Sequence, residues 1–291
     1  MSVFIIAEAG VNHNGDIAMA YQLVDAAVEA GADAIKFQTF KADKLVTKGA
    51  SKAAYQKGSL DKDELQHSML KKLELSFEAH YKIFDYCTNK GIQFLSTAFD
   101  EESMGFLVNN LGMETLKISS GDITNGPLLL AHARTKRKII ISTGMANLNE
   151  IEKALGVVAF GMVGGQNPTR EAFRNAYVSN EGRHILKENV TLLHCTTEYP
   201  APFADINLNA MKTMRDAFGL PIGYSDHSKG IVVSIAAVAL GATLLEKHFT
   251  LDNSLPGPDH KASLGPEELK EMISAIRIVE ISMGDGVKEP Q

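Results

Sequence analysis

Short apolar runs of strand length alternate with longer stretches of helical periodicity from one end of this chain to the other. Residues 3–8 are a compact apolar run, and residues 18–30 then place apolar side chains at helical spacing until Gly31 stops the pattern. The same unit repeats, with further strands predicted at 34–37, 92–96, 115–118, 138–142, 190–194, 220–224 and 242–246. Helices are predicted near 77–90, 101–111, 127–135, 148–156, 207–218, 230–240 and 266–283. Strands that are mostly apolar on both faces and alternate with helices predict a parallel sheet closed into a (β/α)8 TIM barrel. A doubly wound open sheet is the rival, but the turn at residues 8–15 lacks the Gly-x-Gly-x-x-Gly expected after its first strand.

Two connections are longer than this alternation needs. Residues 39–75, with a helical piece at 64–73, follow the second strand on the mouth side and are candidates to cover a site there. Residues 160–188 precede the sixth strand and are expected to extend the opposite face.

In a barrel of this kind, functional groups gather at the C-terminal ends of the strands. Those ends carry Glu8, Lys36 with Gln38, Ser96 with Thr97, Lys117 with Ser119 and Ser120, Ser142 with Thr143, Thr196 with Thr197, Ser225 with His227, and Glu246 with His248. A polar group at every end of the ring favours a site over structural accident. Lys36 and Lys117 interrupt apolar runs, where an ammonium group loses hydration and needs an anion. With Thr97, Ser120, Ser142 and Ser225 they make a cradle for phosphate and carboxylate oxygens. Each lysine could instead pair with a neighbouring carboxylate such as Glu8, Asp122 or Glu246. His227 and His248 end adjacent strands and form a candidate metal pair, too few to close a structural site and therefore leaving positions for water or substrate. His13, His194 and His260 are weaker ligand candidates. Glu8 is the candidate for orienting water or moving a proton. Asp226 and Asp259 could support the metal, bind sugar hydroxyls or cap a helix.

Composition narrows the partners. The 291 residues are 45% hydrophobic and 22% charged with a net charge of −6, which gives no reason to expect nucleic acid or an anionic membrane. Two cysteines provide no disulfide framework, and no apolar run is long enough for a secretory signal or a membrane span, so a cytoplasmic protein is expected.

The polar blocks occur in an order that resembles the sialic acid synthase family, the phosphoenolpyruvate-condensing nonulosonate synthases. The blocks are Ala-Glu-Ala-Gly-Val-Asn-His-Asn-Gly (7–15), Lys-Phe-Gln-Thr-Phe (36–40), Ser-Thr-Ala-Phe-Asp (96–100), Lys-Ile-Ser-Ser-Gly-Asp (117–122), Ile-Ser-Thr-Gly-Met (141–145), His-Cys-Thr-Thr-Glu-Tyr-Pro (194–200), Tyr-Ser-Asp-His (224–227), Glu-Lys-His-Phe-Thr (246–250) and Gly-Pro-Asp-His (257–260). The resemblance implies a TIM barrel that joins phosphoenolpyruvate to the aldehyde of N-acetylmannosamine or a 2,4-diacetamido mannose-type sugar, giving a nine-carbon 2-keto acid and phosphate. It also implies that Lys36, Thr97, Lys117, Ser120, Ser142 and Ser225 bind phosphoenolpyruvate. By the same resemblance His227 and His248 hold a divalent metal, Mn2+ with Mg2+ or Co2+ as alternatives, and Glu8 is the catalytic carboxylate. Gln38, Asp122, Tyr199 and Asp259 fall at its sugar-binding positions, and a homodimer is implied.

Two departures bear on the substrate. Asp122 stands where many N-acetylneuraminate synthases have Glu, which leaves room for a bulkier, 2,4-diacetamido sugar, and Thr196 and Thr197 replace a common Asn. Family members continue into an antifreeze-like domain that supplies an Arg to the partner subunit's sugar site. Here the barrel is expected over residues 1–284, with 285–291 opening a linker toward a domain that this chain does not carry. Two readings from other classes compete: a Schiff-base aldolase or lyase using Lys36, Lys117 or Lys247, and a barrel that binds ligand without catalysis.

Overall fold

The structure, a computed structural model, describes residues 2–50 and 65–288. Eight parallel strands close into a barrel in sequence order: β1 (Phe4–Gly10), β2 (Ala34–Thr39), β3 (Gln93–Ala98), β4 (Thr115–Ile118), β5 (Lys138–Ser142), β6 (Val190–His194), β7 (Ile222–Asp226) and β8 (Leu244–His248). The (β/α)8 expectation holds. Four strands, β1, β3, β7 and β8, begin and end later than their apolar runs, most clearly β7 and β8. Backbone ladder bonds are indifferent to side-chain polarity, so a strand continues through Ser225, Asp226, Lys247 and His248 after its apolar stretch has ended.

The crossovers are α1 (Ile17–Ala30), α2 (Ala42–Leu45) with α3 (Gln66–Leu73) and α4 (Phe77–Lys90), α5 (Glu101–Asn109), α6 (Gly126–Arg134), α7 (Leu148–Met162) with α8 (Arg170–Val178) and α9 (Asn180–Asn189), α10 (Asn209–Phe218) and α11 (Val232–Ala239); α12 (Pro266–Ser282) follows β8. Local signals set their starts. Asp16, Ser76 and Asp100 accept hydrogen bonds from the first backbone N–H groups of α1, α4 and α5, and Asn147 with Glu150 closes a capping box on α7. Residues 160–188 carry the end of α7, a turn over 163–169, then α8 and α9, and α9 runs directly into the N-terminal end of β6. The first residue of the helix expected at 64–73, part of the 39–75 connection and the end of the expected 285–291 linker lie outside the described residues. Among the described residues no helix is long and apolar enough to cross a membrane.

Strand parity decides which polar residues face the mouth. On β8, Glu246 and His248 border the mouth while Lys247 between them is fully buried against the helical layer, 3.0 Å from Asp226 and donating to the Ser228 carbonyl at 2.6 Å. Asp226 also accepts from Ser228 N and Ser234 Oγ, so it locks β7 to the start of the next crossover. This buried pair is structural. Asp226→Ala would leave an uncompensated ammonium group and is expected to lower unfolding free energy by about 3 kcal/mol or more, read as a fall in the urea midpoint. Gly223 permits the close approach of β7 and β8, since a Cβ there would lie 2.4 Å from the Leu244 carbonyl oxygen.

Candidate active site

Register brings the chemistry together. Glu8 pairs with Lys36 on one side and His248 on the other, Gln38 with Thr97, Thr97 with Lys117, and Ser225 with Glu246. These residues ring the floor of a cavity of about 320 Å³ at the C-terminal mouth, a size suited to small metabolites. Glu8, Lys36, Gln38, Thr97, Lys117, Ser120, Ser142, Tyr199, Ser225, His227, His248 and Asp259 all border it. Asp122 does not; its carboxylate accepts a 2.6 Å hydrogen bond from Ser119 within the turn after β4. Thr197 borders the cavity, whereas the Thr196 hydroxyl donates to the Asp205 carbonyl. Leu45, Val46, Gln66, Met69, Leu70 and Leu73 form part of its wall, so the connection after β2 does flank the site.

Two lysines and two carboxylates share the floor. Lys36 Nζ lies 2.6 Å from Glu8 Oε2 and 3.5 Å from Glu246 Oε2, and it donates to Thr97 Oγ1 at 3.1 Å. Lys117 Nζ lies 3.0 Å from Glu246 Oε1, which also accepts from Ser225 Oγ at 2.8 Å. The lysines therefore have carboxylate partners, Glu8 and Glu246 and not Asp122. The two carboxylates differ in kind. Burial pushes Glu8 up to about 7, against the pull of Lys36 and with the help of Glu246. Burial also opposes ionisation of Glu246, but Lys117 and Lys36 outweigh it and hold that carboxyl well below its ordinary range. Glu246 is thus a fixed anion and Glu8 a group poised to exchange a proton near neutrality. Burial disfavours the Lys36 cation, yet Glu246 and Glu8 raise its pKa above the usual value, so it stays charged.

Further hydroxyls converge on the same floor. Ser142 Oγ is buried and has no hydrogen-bond partner among the described residues. Ser120 Oγ accepts from Gly144 N and lies 3.1 Å from Cys195 Sγ.

The histidine pair fits a divalent cation. His227 Nδ1 lies 2.6 Å from the Thr196 carbonyl, which can only accept, so the ring proton sits on Nδ1 and Nε2 keeps its lone pair. Ser225 Oγ is 3.3 Å from that Nε2, but its proton is directed to Glu246. The lone pair therefore meets no donor there. His248 lies beside it, with ring centroids 5.5 Å apart, and its buried Nδ1 has no hydrogen-bond partner among the described residues. Burial lowers His227 to about 4 and drives His248, with a contribution from His227, well below its ordinary value. Both imidazoles are neutral at pH 7, the form that ligates metal. Among the described residues no group of three or more His, Cys, Asp or Glu side chains is arranged to hold a metal, so such an ion would rest on these two imidazoles and on substrate or water. Tyr199 packs on both rings, and Asp259, raised to about 6 by burial, approaches His248 Nδ1 at 4.0 Å.

The weaker histidine candidates do not border the cavity. His13 Nδ1 accepts from Gly15 N, His194 bonds the Ile206 carbonyl, and His260 joins Thr250 to Asn14. Glu246 is the residue that sequence reasoning undervalued, considering it only as a partner for lysine. Its position two residues before His248 on one strand gives it the same facing, a parity that was available in the sequence.

The sequence model of the NeuB family matches residues 23–288. The chain is 50% identical over 290 residues to the N,N'-diacetyllegionaminic acid synthase of Legionella pneumophila, covering all of this chain and 76% of that protein. It is also 50% identical to the N,N'-diacetyllegionaminic acid synthase of Campylobacter jejuni, covering 98% of this chain and 78% of that one. The crystal structure of the N-acetylneuraminic acid synthetase of Leptospira borgpetersenii, a citrate complex, superposes with a TM-score of 0.81 at 34% identity, covering 100% of this chain and 88% of that one. With its barrel, its ring of polar strand ends and these matches along nearly its whole length, the chain belongs to the NeuB family.

Proposed function

We propose that this protein is a nonulosonate synthase that condenses phosphoenolpyruvate with an acetamido mannose-type sugar to a nine-carbon 2-keto acid and phosphate. The observation that carries this reading is the cavity floor, where two ammonium groups, several hydroxyls, two neutral imidazoles and one carboxyl near neutrality face a single space.

Lys36 and Lys117, with Thr97, Ser120, Ser142 and Ser225, receive the phosphate and carboxylate of phosphoenolpyruvate, exchanging part of their pairing with Glu8 and Glu246 for the ligand's charge. Gln38, Tyr199 and Asp259 hold the sugar so that its aldehyde meets C3 of phosphoenolpyruvate, which supplies the proximity term. A divalent cation on His227 and His248, Mn2+ by family resemblance, would supply Lewis-acid polarisation of the aldehyde oxygen. As C3 attacks, the C=O π bond of the aldehyde opens and its oxygen takes up a proton to become a hydroxyl, cationic character builds at C2, and Glu8 takes the balancing proton from the water that adds there. The resulting phosphate hemiketal collapses, and the lysines stabilise the departing phosphate. The homodimer and the cytoplasmic location implied by the sequence belong to the same reading; both cysteines are free and buried, which suits a reducing compartment.

Phosphate release from phosphoenolpyruvate is expected to require both an acetamido sugar and a divalent metal. Chelation should abolish it and Mn2+ should restore it. Release without sugar would sink the reading. Trapping of a keto acid on lysine by borohydride would instead select Schiff-base chemistry, which the charged state of Lys36 and the burial of Lys247 away from the cavity disfavour.

A further inference from the structure

Two of the ordered polar blocks hold residues that do not line the cavity: Asn12 and Asn14 in the turn after β1, and His260 in the loop between β8 and α12. They meet one another from opposite ends of the chain. The Asn12 amide donates to the Phe249 carbonyl at 2.8 Å and to Ser263 Oγ at 3.0 Å, and Ser263 Oγ donates in turn to the Asp259 carbonyl at 2.7 Å. His260, fully buried, has Nε2 3.1 Å from Asn14 Oδ1 and Nδ1 2.6 Å from Thr250 Oγ1. Burial lowers His260 to about 4, so its ring holds a single proton at pH 7. The Asn14 oxygen can only accept, which puts that proton on Nε2 and leaves Nδ1 to accept from the Thr250 hydroxyl. Asn253 closes the set by donating to the carbonyls of His260 and Ser263.

The backbone is shaped to this contact. Asn14 has a φ of 49°, in the left-handed region that Asn tolerates better than most residues. Gly257 leaves room for the imidazole, since a Cβ there would lie 2.5 Å from His260 Cδ2. The loop fastened in this way carries Asp259, which borders the cavity. Among the described residues no hydrogen bond holds the Asp259 carboxylate; His248 Nδ1 approaches it only to 4.0 Å. Its place is therefore set by the backbone that bears it, and that backbone is anchored by His260, the next residue, and by Ser263. A group that orients a substrate has to be held to within about 0.5 Å. We propose that Asn14 and His260 are positioning residues for the condensation, joining the turn after β1 to the loop after β8 so that Asp259 is presented to the sugar.

This inference rests on the synthase reading above and on Asp259 as a contact of the sugar. Its test measures KM for phosphoenolpyruvate and for whichever of N-acetylmannosamine and a 2,4-diacetamido mannose-type sugar supports the faster phosphate release, with a thermal midpoint for each variant to confirm folding. Asn14→Gly keeps the left-handed turn and removes the acceptor, and it is expected to raise KM of the sugar about 10-fold, the worth of one buried hydrogen bond. KM for phosphoenolpyruvate should not follow. Asn14→Asp keeps an acceptor oxygen and should restore the wild-type KM. Asp259→Ala is expected to raise KM of the sugar by itself, and Asn14→Gly to add nothing in that background, because a positioning residue acts only through the group it positions. Thr250→Val keeps the side-chain shape, removes the donor to His260 Nδ1 and is expected to raise KM of the sugar about 3-fold with the same dependence on Asp259, so it decides the matter should Asn14→Gly fail to fold. An unchanged sugar KM in the folded variants, an equal rise in KM for phosphoenolpyruvate, or a rise that persists in the Asp259→Ala background would overturn the inference and leave the synthase reading intact. Absence of sugar-dependent phosphate release in the wild type would overturn the synthase reading itself.

Discussion

Replacing Glu8 by Gln is expected to lower kcat by about 10²- to 10⁴-fold while leaving the affinity for phosphoenolpyruvate unchanged or tighter. The asymmetry follows from the pairing. Glu8 sits 2.6 Å from Lys36 and competes with any arriving anion for that ammonium group, so its neutral isostere removes a competitor while removing the proton acceptor. The pH profile provides a second reading. A base must be ionised to act, and burial raises the Glu8 carboxyl to about 7, so the wild-type kcat/KM should climb about tenfold per pH unit on the acid side and level off above about 7. Glu8→Asp should keep that limb at reduced rate, whereas Glu8→Gln should lose it. Persistence of the limb in Glu8→Gln would assign the proton transfer to another group.

Glu246→Gln is expected to cost stability as well as activity. Its carboxylate lies 3.0 Å from Lys117 and 3.5 Å from Lys36, and all three groups are almost wholly buried. The amide keeps the shape and can still accept a hydrogen bond, but it leaves two ammonium groups facing the single carboxyl of Glu8, whose ionisation Glu246 no longer opposes. Breaking a buried pair in this way costs about 3–5 kcal/mol. The direction with pH is fixed by the sign of the shift. The folded-state pKa of Glu246 is depressed, so its contribution is present above the ordinary carboxylate range and is lost as pH falls toward the depressed value. The gap in urea midpoint between wild type and Glu246→Gln should therefore be full at pH 7 and narrow in acid. Added phosphate should raise the variant's thermal midpoint more than that of the wild type, because an anion on the lysines supplies the missing charge. Equal shifts in the two proteins would show that the lysines do not form the anion site.

Much of this could be read without coordinates because it depends on local rules. Apolar runs of strand length bounded by helix caps, repeated in one order, determined the barrel, and Thr115–Ile118, Lys138–Ser142 and Val190–His194 fall where their hydrophobicity places them. Polar residues at all strand ends determined that the mouth carries the site, since in a closed parallel barrel every such end points the same way. Tertiary structure decided what each group does there. Glu8 and Glu246 are both buried glutamates at strand ends; only the register with Lys36, Lys117 and His248 makes one a fixed anion and the other a carboxyl balanced near neutrality. His227 and Asp226 are chain neighbours, yet strand pleat sends one to the cavity and the other to Lys247 behind the barrel wall. Asp122 lies in a polar block but turns back to Ser119, while Leu45 and Leu70, unremarkable in sequence, reach the cavity through the packing of α2 and α3. Facing, pairing and electrostatic balance depend on distances between segments far apart in the chain, and those distances exist only once the barrel has closed.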